Sequence, residues 1–236
     1  NVLGTQNVIN AAIENNVYRV VFTSSDKAIN PTNAMGATKL LAERLISAAD
    51  FNKGLSDTIF SAVRFGNVMG SRGSVIPLFK KQILERRKIT LTSIEMSRFM
   101  MSISEAAKLT IEAATIAKGG EIFVLKMPVV RLIDLAEVVI EEVCKKHNIS
   151  MSEVLMENTG LRPGEKMYEE LMTEDEAESA YELPHMYAIT PQIHGKNYDH
   201  IYKNHKRATR DNYNSYNQMP ITKDEIRKII LQEGLI

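Results

Sequence analysis

The sequence predicts an α/β fold, with a doubly wound parallel sheet and a small C-terminal lobe. Predicted strands and helices alternate over residues 1–146, as they do when helical crossovers join parallel strands. Apart from Arg19, residues 18–23 form a β-branched and aromatic run, which is typical of a strand buried on both faces. The polarity rises after His147, and this change marks the start of the predicted lobe.

Hydrophobic periodicity and capping signals predict the individual elements. Helices are predicted over residues 1–15, 34–49, 77–87, 102–117, 132–146 and 222–232, and strands over 18–23, 57–65, 88–92 and 121–125. Thr32 or Asn33 can cap the second helix, and the pair Ser102 and Glu105 has the spacing of a capping box. Residues 195–218 are polar and lack periodicity, so we expect an irregular or mobile segment there.

Composition excludes several classes of function. The chain carries 29 acidic and 29 basic residues, so its formal charge of zero argues against a nucleic-acid partner that needs a strong positive field. The single cysteine, Cys144, lies in an apolar helical pattern and suits a reducing compartment, so we expect a buried thiol and a cytoplasmic protein. The five histidines lack metal-ligand spacing, and we expect no metal site.

The most informative segment follows the buried apolar run. Ser25, Asp26 and Lys27 come directly after it, and Met35 and Lys39 stand four residues apart on the next helix. An acid and two amines therefore collect at the carboxyl end of a strand, where an open α/β sheet places its chemistry. For the tripeptide alone, a solvated turn is the simpler interpretation. A functional interpretation is favoured once the residues at fixed distances after the tripeptide are included, namely Pro31, Met35, Gly36 and Lys39.

This segment, SSDKAINPTNAMGATK, resembles the extended short-chain dehydrogenase/reductase family, in its CapD-like polysaccharide-biosynthesis branch of nucleotide-sugar 4,6-dehydratases. The resemblance covers roughly residues 1–178. It implies a Rossmann domain whose first strands and glycine-rich dinucleotide turn lie upstream, and the chain contains no G-x-G-x-x-G or G-x-x-G-x-x-G. We therefore expect a partial Rossmann sheet in residues 1–146 with a substrate-side insert at about 71–97, a substrate lobe in 147–190, and a polar tail with a terminal helix in 191–236.

The resemblance also implies catalytic roles. Ser25 would hydrogen-bond the sugar C4 oxygen, Asp26 would assist loss of the C6 hydroxyl, and Lys27 would remove the C5 proton. Lys39 would bind the nicotinamide ribose of NAD or NADP. Most of the superfamily has tyrosine where Met35 stands; a thioether does not titrate, and the chain resembles the subset of dehydratases with methionine here. Ser24 and Asn1 are the other residues expected to bind the cofactor.

Substrate-binding residues are implied in the second half of the sequence. The segment Arg64-x-x-Asn67-Val68-x-Gly70 matches one in which the asparagine contacts the diphosphate. Ser74 and Val75 would present backbone donors at a helix N-terminus, which suits an anion. Arg162 would clamp the diphosphate and Glu165 would meet the ribose hydroxyls. Arg98 is a further candidate, although a salt bridge within its own loop is an equally good interpretation.

The proposed chemistry requires particular protonation states. Lys27 must lose its proton and Asp26 must keep one, although their ordinary pKa values of about 10.4 and 3.9 favour the opposite. An ion pair between the two would stabilise the unwanted charged forms, and the mechanism would fail in that arrangement. We therefore expect the two side chains to project separately into one cavity beside Lys39, in an apolar pocket to which Met35 contributes.

The function that the sequence predicts is a nucleotide-sugar 4,6-dehydratase that acts on UDP-N-acetylglucosamine through transient NAD reduction, with or without inversion at C5, in surface-glycan synthesis. Two alternatives stay open. One is an NAD-dependent nucleotide-sugar 4-epimerase of the same family, and the other is a fragment that is inactive by itself. By resemblance we expect a homo-oligomer, and a membrane-anchored parent stays open because some relatives carry membrane helices before the catalytic domain.

Overall fold

The computed structural model describes residues 1–191 and 196–236. In chain order, the helices are α1 (Val2–Glu14), α2 (Ala34–Asn52), α3 (Val75–Arg86), α4 (Ile103–Ile116), α5 (Leu132–His147), α6 (Glu174–Glu178), α7 (Tyr198–Ile201) and α8 (Lys223–Gln232). The strands are β1 (Arg19–Ser25), β2 (Ile59–Phe65), β3 (Asn67–Val68), β4 (Lys88–Leu91), β5 (Ser97–Met101), β6 (Ile122–Leu125), β7 (Val129–Arg131), β8 (Leu155–Asn158), β9 (Glu170–Met172), β10 (Ala180–Glu182), β11 (Met186–Ile189), β12 (Lys206–Arg207) and β13 (Tyr213–Asn214).

The chain divides into two compact units that alternate along the sequence. Unit 1 comprises Asn1–Phe65, Ala107–Lys126 and Glu170–Asn214, and unit 2 comprises Gly66–Ala106, Met127–Glu169 and Ser215–Ile236. The domain boundaries predicted from the sequence stay a prediction.

Unit 1 contains a six-stranded sheet in the order β1-β2-β6-β11-β10-β12. The strands β1, β2 and β6 are parallel, with Ser25 opposite Phe65 and Ala62 opposite Ile122. The interior of β2 and β6 is fully buried, as expected of strands covered on both faces. The α/β fold class is therefore confirmed. The expectation that residues 18–23 are buried on both faces is wrong for the described residues, because β1 lies at the edge of this sheet and is only partly buried. The strands β11, β10 and β12 extend the sheet in antiparallel fashion, which the sequence did not predict.

The polar segment near the C-terminus packs against this sheet over the described residues 196–214, where it forms only short elements. The expectation of an irregular or mobile segment stays a prediction. The strand β12 pairs with β10, and β13 pairs with β9. Tyr202 is 4% exposed and donates its hydroxyl to Oε1 of Glu121 at 3.0 Å. Its ring stacks on that of Tyr181 with centroids 5.0 Å apart. Regularly spaced apolar residues are absent here because the buried groups are tyrosines, whose hydroxyls find acceptors.

Unit 2 is built around α3, α5 and α8. Its strands form two small sheets, one in the order β3-β5-β7 and one in which β4 runs parallel to β8. Apolar side chains from the three helices share one core, which includes Phe79, Val139 and Ile230. Cys144 is buried, as expected. The helix α3 begins at Val75, two residues before the predicted start, because Pro77 fits within a first turn whose amides have no intrahelical acceptor.

Candidate functional site

The carboxyl end of β1 leads directly into a short 3₁₀ turn, Asp26–Ala28. Ser25 caps this turn, because its hydroxyl accepts a hydrogen bond from the amide of Lys27 at 3.2 Å. Asp26 is buried, whereas the side chain of Lys27 is about half exposed. The predicted catalytic tripeptide is therefore held in one fixed turn at the end of a parallel strand.

Asp26 and Lys27 form an ion pair. Nζ of Lys27 lies 3.0 Å from Oδ1 and 3.3 Å from Oδ2 of Asp26. The expectation that these side chains project separately is therefore wrong. The physical reason is that the two groups are adjacent on one turn and carry opposite charges, so pairing replaces the water that burial removes from the carboxylate.

Lys39 lies against the same strand. Its Nζ donates to the carbonyl oxygen of Thr23 at 2.9 Å and sits 4.8 Å from the ring centroid of Phe22. Burial lowers the pKa of Lys39, and the nearby carboxylate of Glu43 partly opposes this effect. The helical lysine is thus positioned beside β1, as the sequence predicts, with its charged form disfavoured.

Gly36 sets the distance between α2 and the turn. A Cβ at this position would overlap the carbonyl oxygen of Lys27 and lie 3.0 Å from Cβ of Pro31. Asn33 caps α2, as predicted, through its side-chain oxygen and the amide of Gly36 at 2.9 Å. The first turn of α2 therefore packs against the main chain of the Asp26–Ala28 turn.

Three other predicted residues lie in this part of unit 1. Met35 is 49% exposed on the first turn of α2. Asn1 donates through Nδ2 to the hydroxyl of Thr38 at 2.9 Å, one residue before Lys39. Ser24 is 3% exposed, and its hydroxyl has no hydrogen-bond partner among the described residues. Because buried hydroxyls are normally hydrogen-bonded, the hydroxyl of Ser24 is suited to form a hydrogen bond with a bound molecule.

A buried arginine joins α2 to the neighbouring elements. Arg64 donates to both carboxylate oxygens of Glu43, at 3.0 and 2.6 Å, and to both of Glu176, at 2.8 and 3.1 Å. It also donates to the carbonyl oxygen of Leu171 at 2.9 Å. Burial acts to lower the pKa of Arg64, but the two carboxylates outweigh it and raise that pKa overall. Glu43 and Glu176 were not predicted from the sequence. The one local signal is that Glu43 stands four residues after Lys39.

Unit 2 contains a cavity of about 370 Å³, which we call the unit 2 cavity. Five of the six predicted substrate-binding residues line it: Asn67, Ser74, Val75, Arg98 and Glu165. Arg162 does not line it; this residue is exposed, and its amide donates to Oε2 of Glu165 at 3.1 Å. Arg72 also lines the cavity and was not predicted.

One wall of the unit 2 cavity is the N-terminus of α3. Ser74 precedes the helix, and its buried hydroxyl has no hydrogen-bond partner among the described residues. The first turn of α3 has no acidic residue. The amides of a helix N-terminus and a hydroxyl without a partner among the described residues suit an anion. Binding of an anion by Ser74 and Val75 stays a prediction.

Arg98 is occupied by protein groups. Its guanidinium donates to the carbonyl oxygens of Ser97 at 2.8 Å, Met167 at 3.2 Å and Lys166 at 2.8 Å. Its Nε lies 3.4 Å from Oε1 of Glu169. Apart from Ser97, these partners lie in residues 166–169, so Arg98 joins two segments that are distant in the sequence. The contacts do not match a salt bridge within its own loop, and contact with substrate stays a prediction.

The described residues contain no cluster of histidine, cysteine, aspartate or glutamate that could hold a metal ion. His194, one of the five histidines considered, lies outside the described residues. Within residues 1–191 and 196–236, no helix is both long enough and apolar enough to cross a membrane.

Comparison with known proteins identifies the family. The model of the polysaccharide biosynthesis protein family matches residues 1–191. The chain belongs to this family. It is 48% identical over 230 residues to the uncharacterized membrane protein MJ1061 of Methanocaldococcus jannaschii, covering 98% of this chain and 66% of that protein.

Two relatives carry names of different enzymes. The inverting UDP-N-acetylglucosamine 4,6-dehydratase of Campylobacter jejuni is 40% identical over 194 residues, which is 82% of this chain and 55% of the relative. The UDP-glucose 4-epimerase of Rickettsia canadensis is 36% identical over 233 residues, which is 98% of this chain and 66% of the relative. The chain therefore spans about two thirds or less of the length of the curated relatives it matches.

Solved structures agree with the fold. The X-ray structure of Pen from Bacillus thuringiensis is 56% identical, with a TM-score of 0.90, and the match covers all of this chain and 68% of that one. The UDP-N-acetylglucosamine 4-epimerase of Methanobrevibacter ruminantium M1 is 18% identical with a TM-score of 0.60, covers all of this chain and 68% of that one, and shows the fold alone.

Proposed function

We propose that the whole protein is a nucleotide-sugar 4,6-dehydratase that acts on UDP-N-acetylglucosamine. The observation that carries this proposal is the turn at the end of β1, where Asp26 and Lys27 supply an acid–base pair close to the helix that carries Lys39. A dehydratase must remove one proton and deliver another, and this turn provides one group for each task. The named dehydratase relative, 40% identical, supports the same assignment.

The residues of unit 1 fit a nicotinamide cofactor in two respects. Ser24 has a buried hydroxyl that lacks a partner among the described residues, and Lys39 presents a partly desolvated amine beside β1. We assign these residues, with Asn1, to cofactor binding. Bound NAD or NADP would supply a hydride acceptor at C4 and a hydride donor at C6.

The ion pair of Asp26 and Lys27 carries one titratable proton, on the lysine, whereas the reaction needs that proton on the aspartate. The reaction needs a neutral lysine to take the C5 proton and a protonated aspartate to give one to the departing C6 hydroxyl. Moving one proton from Lys27 to Asp26 converts the ion pair into this state without changing the net charge. This transfer is unfavourable in water, where a carboxylic acid is a much stronger acid than an ammonium group.

Exclusion of water lowers this cost, because burial disfavours both charged forms. We therefore propose that bound substrate separates the pair and dries the turn, so that Lys27 faces C5 and Asp26 faces the C6 hydroxyl. Ser25 would hydrogen-bond the C4 oxygen. Met35 has no proton to exchange, and in this proposal it contributes apolar surface to the dried turn.

A 4-epimerase is the second candidate, and the Rickettsia canadensis relative, 36% identical over almost the whole chain, favours it. An epimerase returns the hydride to C4 and needs neither the C5 base nor the C6 acid. The Asp26–Lys27 pair is therefore the feature that separates the two reactions. Inversion at C5 is compatible with the dehydratase proposal, because the same lysine handles that proton. The homo-oligomer stays a prediction.

The test is the mass of the product from UDP-N-acetylglucosamine and the whole protein, supplied with NAD or NADP. A dehydratase gives a product lighter by one water molecule, whereas an epimerase gives an isomer of unchanged mass. Asp26→Asn should abolish water loss in the first case. A product of unchanged mass from the wild-type protein would contradict the proposal and support the epimerase.

A further inference from the structure

The side-chain amide of Asn67 has one orientation that its neighbours permit. Its nitrogen, Nδ2, lies 2.7 and 2.9 Å from the two carboxylate oxygens of Glu169 and 3.2 Å from the carbonyl oxygen of Phe99. A carboxylate and a carbonyl can only accept hydrogen bonds. The atom facing them must therefore be the NH₂ group, because the reverse orientation would place oxygen against oxygen.

The environment of Glu169 keeps it an acceptor. Glu169 is 6% exposed, and its Oε2 accepts from the amide of Phe99 at 3.0 Å. Nε of Arg98 lies 3.4 Å from Oε1 of the same group. A buried carboxylate surrounded by an arginine and two N–H donors is stabilised in its charged form.

The two N–H groups of Asn67 are therefore both directed at protein acceptors. An asparagine has two such donors, and one points to Glu169 while the other points to Phe99. Asn67 lines the unit 2 cavity, and Glu169 is not among its lining residues. The group of Asn67 that remains for a ligand is its carbonyl oxygen, Oδ1.

We propose that Glu169 is a positioning residue that makes Asn67 present an acceptor to the unit 2 cavity, so that Asn67 selects a hydroxyl or N–H group of the nucleoside or sugar. This inference rests on the proposed function for the identity of the ligand. It differs from the role that the family resemblance implies, in which the asparagine contacts the diphosphate. A phosphate oxygen is itself an acceptor, and Oδ1 would repel it.

The remaining walls of the unit 2 cavity supply what a diphosphate needs. The N-terminus of α3, the unpartnered hydroxyl of Ser74 and the side chain of Arg72 all favour negative charge. One side of the cavity therefore offers hydrogen-bond donors of the protein to an anion. At Asn67 the protein offers an acceptor to a hydroxyl or N–H group of the ligand. A ligand that carries both kinds of group, such as a nucleoside diphosphate or its sugar ester, satisfies both.

The first test needs no ligand. The two side-chain amide protons of Asn67 should give separate, slowly exchanging NMR signals in the chain, because both are hydrogen-bonded. Glu169→Gln should shift these signals and speed their exchange. Glu165→Gln removes the charge of the other carboxylate near Arg98, 3.9 Å away, and should leave them in place. Fast exchange of the Asn67 amide in the wild-type chain would overturn the proposal.

The second test measures binding of UDP-N-acetylglucosamine, UDP and inorganic pyrophosphate by calorimetry. One ligand group should donate a hydrogen bond to Oδ1 of Asn67. Asn67→Ala should weaken binding of any ligand that carries this group by roughly two- to tenfold, which is the value of one hydrogen bond. Binding of pyrophosphate should be unchanged. A loss seen with UDP places the donor on uridine, and a loss confined to UDP-N-acetylglucosamine places it on the sugar. Weaker pyrophosphate binding in Asn67→Ala would show contact with the diphosphate and overturn the proposal.

A double-variant comparison tests whether Glu169 acts through Asn67. Glu169→Gln should weaken binding of the same ligand as Asn67→Ala does. The double variant should lose no more affinity than Asn67→Ala alone. Additive losses would contradict a positioning role. If the whole protein binds none of the three ligands, the proposed function fails, while the NMR result still decides the orientation of Asn67.

Discussion

Lys27 donates to both carboxylate oxygens of Asp26, its immediate neighbour in the chain, at 3.0 and 3.3 Å. The two groups expected to act as base and acid therefore neutralise each other. In the proposed mechanism, Lys27 gives its proton to Asp26 when bound substrate excludes water from the turn.

We predict that Lys27→Ala slows water loss from UDP-N-acetylglucosamine by roughly 10²- to 10⁴-fold in the whole protein, the usual value of a general base. Exchange of the C5 proton with deuterated solvent should fall equally, because Lys27 handles that proton. Lys126→Ala is the matched control, since Lys126 also follows a parallel strand and pairs with a carboxylate, Glu182, at 2.7 Å. Equal losses in both variants would indicate a structural effect and contradict the role of Lys27.

The second prediction concerns the protonation of Lys39. Burial lowers its pKa and Glu43 raises it, so Glu43→Gln should lower the pKa further. The pH at which Lys39 becomes reactive toward an amine-selective reagent should therefore fall, as measured by mass spectrometry of the labelled peptide. Glu176, like Glu43, pairs with Arg64, but it does not contribute to the pKa shift of Lys39. Glu176→Gln should therefore leave the pH at which Lys39 becomes reactive unchanged. Equal shifts in the two variants would refute the assignment to Glu43.

The third prediction concerns the buried network of Arg64. Arg64→Met should reduce the free energy of unfolding by about 3–5 kcal/mol, because it leaves the carboxylates of Glu43 and Glu176 without their buried partner. Arg210→Met removes an exposed arginine that pairs with Glu178 and should change stability by less than about 0.5 kcal/mol. Urea unfolding measures both, and a loss below about 1 kcal/mol for Arg64→Met would show that the network is not a major source of stability.

The fourth prediction concerns Gly36. Gly36→Ala should destabilise the chain by about 1–3 kcal/mol, because the added methyl group overlaps the carbonyl oxygen of Lys27. Gly4→Ala is the control: Gly4 lies within α1 with nothing within 4 Å of its Cβ position, and alanine there should stabilise by up to about 1 kcal/mol. Thermal or urea unfolding that ranks Gly36→Ala as neutral would mean that the turn can move away from α2.

The fifth prediction concerns the segment near the C-terminus. Tyr202→Phe should cost about 1–2 kcal/mol of stability, because the buried carboxylate of Glu121 loses one of its donors. Tyr18→Phe, at a residue that is 66% exposed, should be close to neutral. Proteolysis of residues 196–214 should speed up in Tyr202→Phe alone. The same cleavage rate in wild type and both variants would argue against anchoring by Tyr202.

Local relationships in this chain could be predicted from its sequence. Met35 and Lys39 share a helix face because their spacing is four, Asn33 caps α2 because its side chain reaches an amide three residues ahead, and the order of β1, α2 and β2 follows from periodicity. Each of these depends on residues close together in the chain.

The relationships that the sequence could not supply join distant residues or depend on rotamers. Asn67 and Glu169 are 102 positions apart, and Glu169 lies in a stretch, residues 147–190, for which the sequence predicted no helix or strand. The strands β12 and β13 have two residues each, too few for a periodic pattern. The pairing of Asp26 with Lys27 depends on side-chain rotamers, which an alternation of strands and helices does not determine.

The contact between Gly36 and the main chain of Lys27 has a consequence for how new activities could arise on this scaffold. The spacing between the amine-bearing turn and the amine-bearing helix is set by backbone atoms, so it is insensitive to the identity of the exposed neighbour at position 35. Exchange of Met35 for an ionisable residue would then add a titrating group, while the backbone of the turn and of α2 keeps Lys27 and Lys39 at the same spacing. Because Met35 is about half exposed, one substitution at this position could add a reactive group with only a small change in stability.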